Sequence, residues 1–378
     1  MVKKSKKEDD DVIIKNLKGF CTKGAGVKSP GNVPTGHFIL DFAIQYGRNP
    51  SNVDLANFED YNPAVPLGLP LGKLVEIFGE EGGGKSSLAY RIAGYGQRLG
   101  YKIAWIDSEH SFASNLAKIN GCNVDELYYS NLCNVDNPEK FFYAEDVMDS
   151  IISLCLSGIN IIILDTVANL VTKTRGEARA EQQIMAPIAR LLSQNLGKIT
   201  GYAEKYGVLL IFINQLREKI GLLWGNPETS PGGRALRHNS SVRLKVTKKG
   251  GKDANIYIPD EETGEALLIG RKTRIKIEKN RLAKPFLENL EIPIYYESYF
   301  PGIEEIAFDT GRQIKLITVR NGIYKWDEFK IDGRKNFIDT IKKQKLVDKL
   351  IQSVKTKATE DGILLPPEIM QYVIKKEK

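Results

Sequence analysis

The segment GEEGGGKSS, Gly79–Ser87, holds the residue types needed to grip a polyphosphate. It fits the pattern G-x-x-x-x-G-K-[ST], with Gly79, Gly84, Lys85 and Ser86 at the fixed positions. Glycines let the chain curl, so that backbone N–H groups across Glu80, Glu81, Gly82, Gly83, Gly84 and on to Ser87 can converge on phosphate oxygens. The partial positive charge of a following helix N-terminus adds to the attraction. Lys85 is expected to reach the β- and γ-phosphates, and the Ser86 hydroxyl to coordinate Mg²⁺. A ligand-free glycine turn is the plainer alternative. The apolar run KLVEIF before the segment and the helical pattern SLAYRIAGYGQRL after it argue against that.

Three more polar residues end apolar runs. Asp165 closes INIIILD, where a carboxylate would support the same metal. A strand-end Asp that merely caps the next segment is the alternative. Glu109, in WIDSEH, lies just past YKIAWID and is placed to orient an attacking water as a base. Asp107 competes for that role, but it falls inside the strand pattern and reads as structural. Gln215 follows GVLLIFIN and is placed to sense a γ-phosphate.

Hydrophobic patterning supplies the frame these residues need. From about residue 71, KLVEIFG, YKIAWID, INIIILD and GVLLIFIN are continuous apolar runs, as expected of strands buried on both faces. Helical patterns follow from Lys85, from near Pro138 to Leu156, and across Glu181 to Glu204. The alternation predicts an α/β fold with a mostly parallel central sheet covered by helices. SVRLKV, IYIPD, EALLIG and TRIKIEK read as further strands, with a turn at DEETGE. Residues 1–45 hold a charged leader and a short helical pattern, DDDVIIKNL. Its face of Ile13, Ile14 and Leu17 finds nothing local to bury it, so it is expected to pack on another subunit or domain. Residues 46–66 read as an insertion, and the chain after Pro285 as a small mixed domain.

Composition narrows the class. The chain has 378 residues, 42% hydrophobic and 27% charged, as in soluble globular proteins. No apolar run approaches the roughly 20 residues of a membrane span, and the charged start MVKKSKKEDDD lacks the apolar stretch of a secretory signal. A cytoplasmic location is the expectation. Cys21, Cys122, Cys133 and Cys155 lack metal-ligand spacing and read as free thiols, and the scattered histidines make no zinc site. The net charge of +7 mildly favours a polyanionic partner.

One stretch fits none of these elements. NQLREKIGLLWGNPETSPGGRALRHN, from Asn214, joins two apolar runs through a long aperiodic connection rich in Gly, Pro and charge. With EIFGEEGGGKSSL, WIDSEH and TRIKIEKNRLAKPF in the same order, it closely resembles the bacterial RecA recombinases over roughly residues 34–330. The resemblance implies a RecA-like P-loop ATPase core at 46–284, a small N-terminal oligomerisation segment at 1–45, and a small α+β C-terminal domain at 285–378. It implies a DNA-dependent ATPase and recombinase using ATP and Mg²⁺, with roles in DNA repair and the SOS response. Its partners would be single-stranded DNA, homologous duplex DNA, further copies of itself in a helical filament, and single-strand-binding or loader proteins.

Carried over by position, Lys85, Ser86 and Asp165 would bind phosphate and Mg²⁺, Glu109 would be the base, and Gln215 would couple the γ-phosphate to the following loop. Lys279 and Arg281 would reach the ATP of an adjacent protomer, as arginine fingers do. Two DNA-binding loops are implied, at about 171–190 and 216–236. In them Arg217, Lys219, Gly232 and Gly233 match phosphate contacts, and Ile220 and Met185 match aliphatics inserted between nucleotides. Arg190 and Ser193 lie on the helix behind, and Trp224 supports the loop.

The match also departs from the family. Leu116 stands where an adenine-stacking Tyr is expected, Pro231 replaces a Thr, Gly197 a basic DNA contact and His238 an aromatic interface residue, and the tail YVIKKEK is basic. These mark a divergent member, compatible with a virus-encoded protein working in a host cytoplasm. Two other readings use the same P-loop: a ring-shaped RecA-fold helicase, and a recombination mediator that binds ATP and DNA without hydrolysis.

Overall fold

The computed structural model describes residues 30–49, 66–137, 140–176, 187–218, 228–229, 233–259, 266–296, 303–320, 322–360 and 369. Outside them lie the 9–17 segment expected to form the oligomerisation helix, Cys21, most of the 46–66 insertion and the DEETGE turn. Met185, Lys219, Ile220, Trp224, Pro231, Gly232 and the basic tail also lie outside the described residues.

The described chain begins with β1 (Asn32–Val33), helix α1 (Phe38–Tyr46) and β2 (Leu69–Pro70), the two strands pairing antiparallel. An alternating stretch follows: β3 (Leu74–Gly79), α2 (Lys85–Arg98), β4 (Ile103–Asp107), α3 (Ser114–Ile119), β5 (Leu127–Ser130) and α4 (Ala144–Leu156). It continues through β6 (Ile161–Asp165), α5 (Lys173–Gly176), α6 (Pro187–Tyr206) and β7 (Leu209–Gln215). The long connection carries β8 (Arg217–Glu218) and β9 (Glu228–Thr229), which pair with each other, and then α7 (Gly233–Asn239). Strands β10 (Val242–Lys248), β11 (Asn255–Pro259), β12 (Ala266–Asn280) and β13 (Asn289–Tyr295) complete the core.

Among the described residues, nine strands form one sheet in the order β11-β12-β10-β3-β7-β6-β4-β5, with β13 also pairing β12. From β10 to β5 every pairing is parallel, and β11, β12 and β13 join antiparallel. The predicted mostly parallel sheet is therefore present. Its inner strands read as unbroken apolar runs because both faces are covered. On one face Ile163, Ile211 and Ile77 pack with Leu88 and Ile92 of α2. On the other, Ile162, Leu164, Leu210 and Phe212 pack with Ile151 of α4, Leu192, Leu196 and Ile199 of α6, and Leu236 of α7.

Two expectations need correction. The helix sought from near Pro138 begins only at Ala144. Phe141 is held in an isolated bridge to Cys133, and the Asp146 carboxylate accepts from the Tyr143 backbone N–H at 2.9 Å, fixing the helix start. EALLIG and TRIKIEK are not two strands but the single fifteen-residue β12. The cations Arg271 and Lys272 interrupt the apolar alternation, yet the backbone there is paired, Arg271 with both Asn255 and Ile294 and Lys272 with Pro293.

The C-terminal region has its own apolar cluster. Helices α8 (Ile303–Gln313), α9 (Arg334–Lys343) and α10 (Val347–Glu360) surround a small sheet of β14 (Thr318–Arg320), β15 (Ile323–Trp326) and β16 (Phe329–Asp332). Phe308, Trp326, Phe337, Leu350 and Val354 fill the space between them.

Helix α6 carries Gly197 and Gly201 on its exposed side, and a Cβ at either position would meet nothing within 4 Å. Glycine in a helix interior costs about 0.5–1 kcal/mol relative to alanine. Gly197→Ala and Gly201→Ala are each expected to raise Tm by about 1–3 °C in a thermal melt. A fall in Tm for either would show that the position is covered.

Candidate functional site

The loop between β3 and α2 takes its shape from close backbone packing. Gly79 has φ 156°, and a Cβ there would lie 1.8 Å from the Val246 carbonyl oxygen of neighbouring β10. Gly84 caps α2 with φ 99° and presses against Thr273 and Ile294, so a side chain would be strained there. Thr273 Oγ1 donates to the Gly83 carbonyl at 3.0 Å, fastening the loop to β12. Lys85 folds back inside this loop, its Nζ donating to the carbonyls of Glu80 at 2.7 Å and Gly79 at 3.2 Å. Burial lowers the Lys85 pKa, while Asp165, Glu109, Glu81 and Glu80 pull it the other way. A partly desolvated cation held in a ring of backbone dipoles suits an incoming phosphate.

Ser86 Oγ donates to Asp165 Oδ2 at 2.8 Å. Asp165 Oδ1 is buried and has no hydrogen-bond partner. Burial pushes the Asp165 pKa up to about 6; Ser86 and Lys85 oppose the rise, while Glu109 and Asp107 add to it. Among the described residues no three His, Cys, Asp or Glu gather as a metal cluster. A divalent ion here would therefore depend on Ser86, Asp165 and phosphate oxygens together. The orphaned carboxylate oxygen beside a hydroxyl is the hard oxygen set that Mg²⁺ takes, so these residues fit the ion.

Glu109 and Gln215 meet directly, Gln215 Nε2 donating to Glu109 Oε1 at 3.1 Å. Asp107 shapes the turn that presents Glu109. Its carboxylate accepts the backbone N–H of Glu109 at 3.1 Å, Ser111 at 3.3 Å and Phe112 at 3.0 Å, and the Tyr129 hydroxyl at 3.0 Å. Behind the turn Tyr90 stacks on Trp105 at 4.4 Å and accepts the Ala113 N–H at 3.1 Å. Ser108 ties β4 to β6, its Oγ donating to the Thr166 carbonyl at 2.6 Å and accepting the Thr166 N–H at 2.9 Å. The sequence reading does not single out Tyr90, Ser108, Tyr129 or Thr166; only their places beside WIDSEH and Asp165 hint at them. The backbone N–H of Leu216 donates to the Gly79 carbonyl at 3.1 Å, so the long connection departs from beside the loop between β3 and α2.

The remaining candidates lie elsewhere. Lys279 Nζ donates to the carbonyls of Arg237 at 2.6 Å and His238 at 3.0 Å, and Arg281 Nη2 to that of His238 at 2.8 Å. Within one chain these two cations thus close the C-terminal end of α7, where positive charge is favourable. Arg190 and Ser193 are exposed on α6, on the side that also bears Gly197. Gly233 opens α7 with φ 67°, and a Cβ there would lie 3.3 Å from Ala189 Cβ, so the chain leaving one implied loop touches the chain entering the other's anchor. The Arg217 backbone pairs with Thr229. Leu116 is half-buried against the core cluster beneath α2. Among the described residues the three free cysteines, Cys122, Cys133 and Cys155, take no part in the site.

The RecA N-terminal domain family model matches residues 62–301. The protein named RecA of Mycoplasma mobile is 36% identical over 279 residues, 73% of this chain and 78% of its own length. That of Caldanaerobacter subterraneus subsp. tengcongensis is 33% identical over 323 residues, covering 85% and 82%. That of Oceanobacillus iheyensis is 31% identical over 363 residues, covering 93% and 92%.

The Asp165 carboxyl gives a pH test. Its folded pKa is raised from 3.8 to about 6, so the stability it lends is present at low pH and is lost as pH rises through about 6. The penalty on the carboxylate is about 3 kcal/mol at most. Without nucleotide, Asp165→Asn is expected to melt above wild type at about pH 7.5, and the gap to shrink as pH falls below about 6 and to close near the unfolded value of 3.8. With Mg²⁺ and nucleotide the order should invert at the higher pH, because the amide cannot replace the carboxylate. An Asp165→Asn variant that gains as much as wild type from the ligand would remove Asp165 from the metal site.

Proposed function

Because the chain belongs to the RecA family, we propose that it is a DNA-dependent ATPase and recombinase that assembles on single-stranded DNA and exchanges strands with a homologous duplex. The observation that carries this reading is the Gln215–Glu109 hydrogen bond beside the Ser86–Asp165 pair, at the point where the long connection begins. It supports a direct route from nucleotide to DNA.

Lys85 and the backbone of Gly79–Ser87 would hold the triphosphate, and Ser86 and Asp165 would hold Mg²⁺. When bound, that ion neutralises charge on the phosphate oxygens. Gln215 occupies the Glu109 carboxylate, so turning its amide toward a γ-phosphate would free Glu109 to orient water. The same turn would pull on Leu216, which is anchored to Gly79, and so on the 216–232 stretch. Arg217, Lys219, Ile220, Gly232 and Gly233, with Met185, Arg190 and Ser193, would bind the single strand through phosphate contacts and apolar packing. Lys279 and Arg281 would leave the end of α7 for the triphosphate of a neighbouring copy, making hydrolysis depend on assembly. Residues 1–45 would dock on that neighbour; the ATPase core, expected at 46–284, would run on through β13 to Tyr295, because that strand pairs with β12 and buries Leu290, Ile292 and Ile294 in the main cluster, leaving the rest of 285–378 as an accessory domain. Watson–Crick pairing with an incoming duplex would test homology, so base-specific side chains are not required. Single-strand-binding or loader proteins would act on the same filament. Among the described residues no helix is long and apolar enough to cross a membrane.

Strand exchange between circular single-stranded DNA and a homologous linear duplex tests the reading. Lys85→Ala is expected to abolish exchange. Glu109→Ala should still form filaments with ATP, visible by electron microscopy, while hydrolysing about 10²- to 10⁴-fold more slowly. Equal exchange by wild type and both variants, or closed rings in place of filaments, would overturn it.

A further inference from the structure

A row of buried polar side chains crosses the middle of the sheet, where apolar residues would be expected. Glu76 of β3, fully buried, accepts from Arg243 Nε of β10 with one carboxylate oxygen and from Asn214 Nδ2 of β7 with the other, at 2.5 and 3.0 Å. Arg243 stands opposite Glu76 in the parallel register and lies over the Phe78 ring, 4.2 Å from its centroid. Its Nη2 is buried with no hydrogen-bond partner. At one end of the row, Asn214 Oδ1 accepts the backbone N–H of Gln215 at 3.0 Å. At the other, Arg243 pairs in register with Lys279, which holds the last carbonyls of α7. The charges sense each other along the row: burial lowers the Lys279 pKa, Arg281 and Arg243 lower it further, and Glu76 opposes them.

Such a pair is a poor device for stability. Desolvating two charges costs several kcal/mol, and apolar replacements of similar size are often neutral or stabilising. What Glu76 provides is direction. Its two oxygens clamp β10 and β7 across β3, and the clamp ends on the backbone of the residue that touches Glu109.

We propose that Arg243, Glu76 and Asn214 are positioning residues that transmit the state of the Lys279–Arg281 edge to Gln215. The inference rests on the functional reading above and adds a route to it. When Lys279 exchanges the α7 carbonyls for phosphate, the field and packing at Arg243 change. Glu76 and Asn214 carry that change three strands across, without passing through the DNA-binding stretch itself.

The test uses the full-length protein and reads the ratio of ATP hydrolysis rates with and without single-stranded DNA, the KM for ATP, and the Tm. Asn214→Ala and Arg243→Met are expected to lower the ratio by about 3- to 30-fold, the span of couplings carried through packed side chains. KM should move little, and Arg243→Lys should recover part of the loss. The double variant Glu76→Gln/Arg243→Met removes both charges, so it should recover Tm relative to Arg243→Met yet leave the ratio low. A merely structural row would restore stimulation together with Tm, and that result would overturn the proposal. So would a folded Asn214→Ala with full stimulation. Wild type showing no stimulation by DNA would instead sink the recombinase reading itself, and the inference with it.

Discussion

Everything at the site depends on one electrostatic imbalance at the carboxyl edge of the parallel strands. A buried cation, Lys85, is set inside a loop of carbonyls and faces Asp165, Glu109, Glu81 and Glu80. Left alone, the arrangement pushes back on itself: Asp165 resists ionising, and Lys85 is drawn toward neutrality by burial. A phosphate bearing a divalent ion would resolve both tensions at once, bringing negative charge to Lys85 and positive charge to Asp165. The protein supplies the frame, and the ligand would complete the charge balance.

That frame follows from strand order. Parallel strands joined through helices deliver all their C-terminal ends to one edge, where a crevice binds ligands. Gly79, Asp107, Asp165 and Gln215 each close a strand, β3, β4, β6 and β7 respectively, and these four are neighbours in the sheet. Local devices then aim the side chains: the glycine approach to Val246, the three N–H groups gathered by Asp107, and the Ser108–Thr166 clasp. Each fixes a side chain through backbone geometry, which tolerates little drift.

The strands and the phosphate loop could be read from the chain because their signals are local. Unbroken apolar runs and a glycine pattern between strand and helix need no knowledge of the rest of the fold. Where adjacent charges broke the alternation, at Arg271 and Lys272, the reading split a strand that pairing on both sides keeps whole. The buried row was hidden for a different reason. Glu76 is one polar letter in LVEIFG and Arg243 one in VRLKV, and nothing near either says they face each other. Only the order β10-β3-β7 brings them together with Asn214, and strand order is a property of the whole sheet. Tyr129 reached Asp107 in the same way, across the β4–β5 pairing.

The proposed exchange of partners at Lys279 and Arg281 turns on how firmly they are held at rest. A cation at a helix C-terminus gains about 0.3–1 kcal/mol, and α7 has only seven residues. The three bonds from Lys279 and Arg281 to its last carbonyls are charge-assisted, about 1.5–3 kcal/mol each, as bonds to a phosphate would be, so the full negative charge of the phosphate has to supply the difference. A triphosphate presented by a second copy would therefore outbid the α7 carbonyls, whereas water alone would not. In the isolated chain the two side chains rest on the helix that ends the long connection; in an assembly they would be pulled from it. A resting contact to neutral carbonyls beside a potential one to a charged phosphate would make an edge that responds to a neighbour without first having to unfold anything.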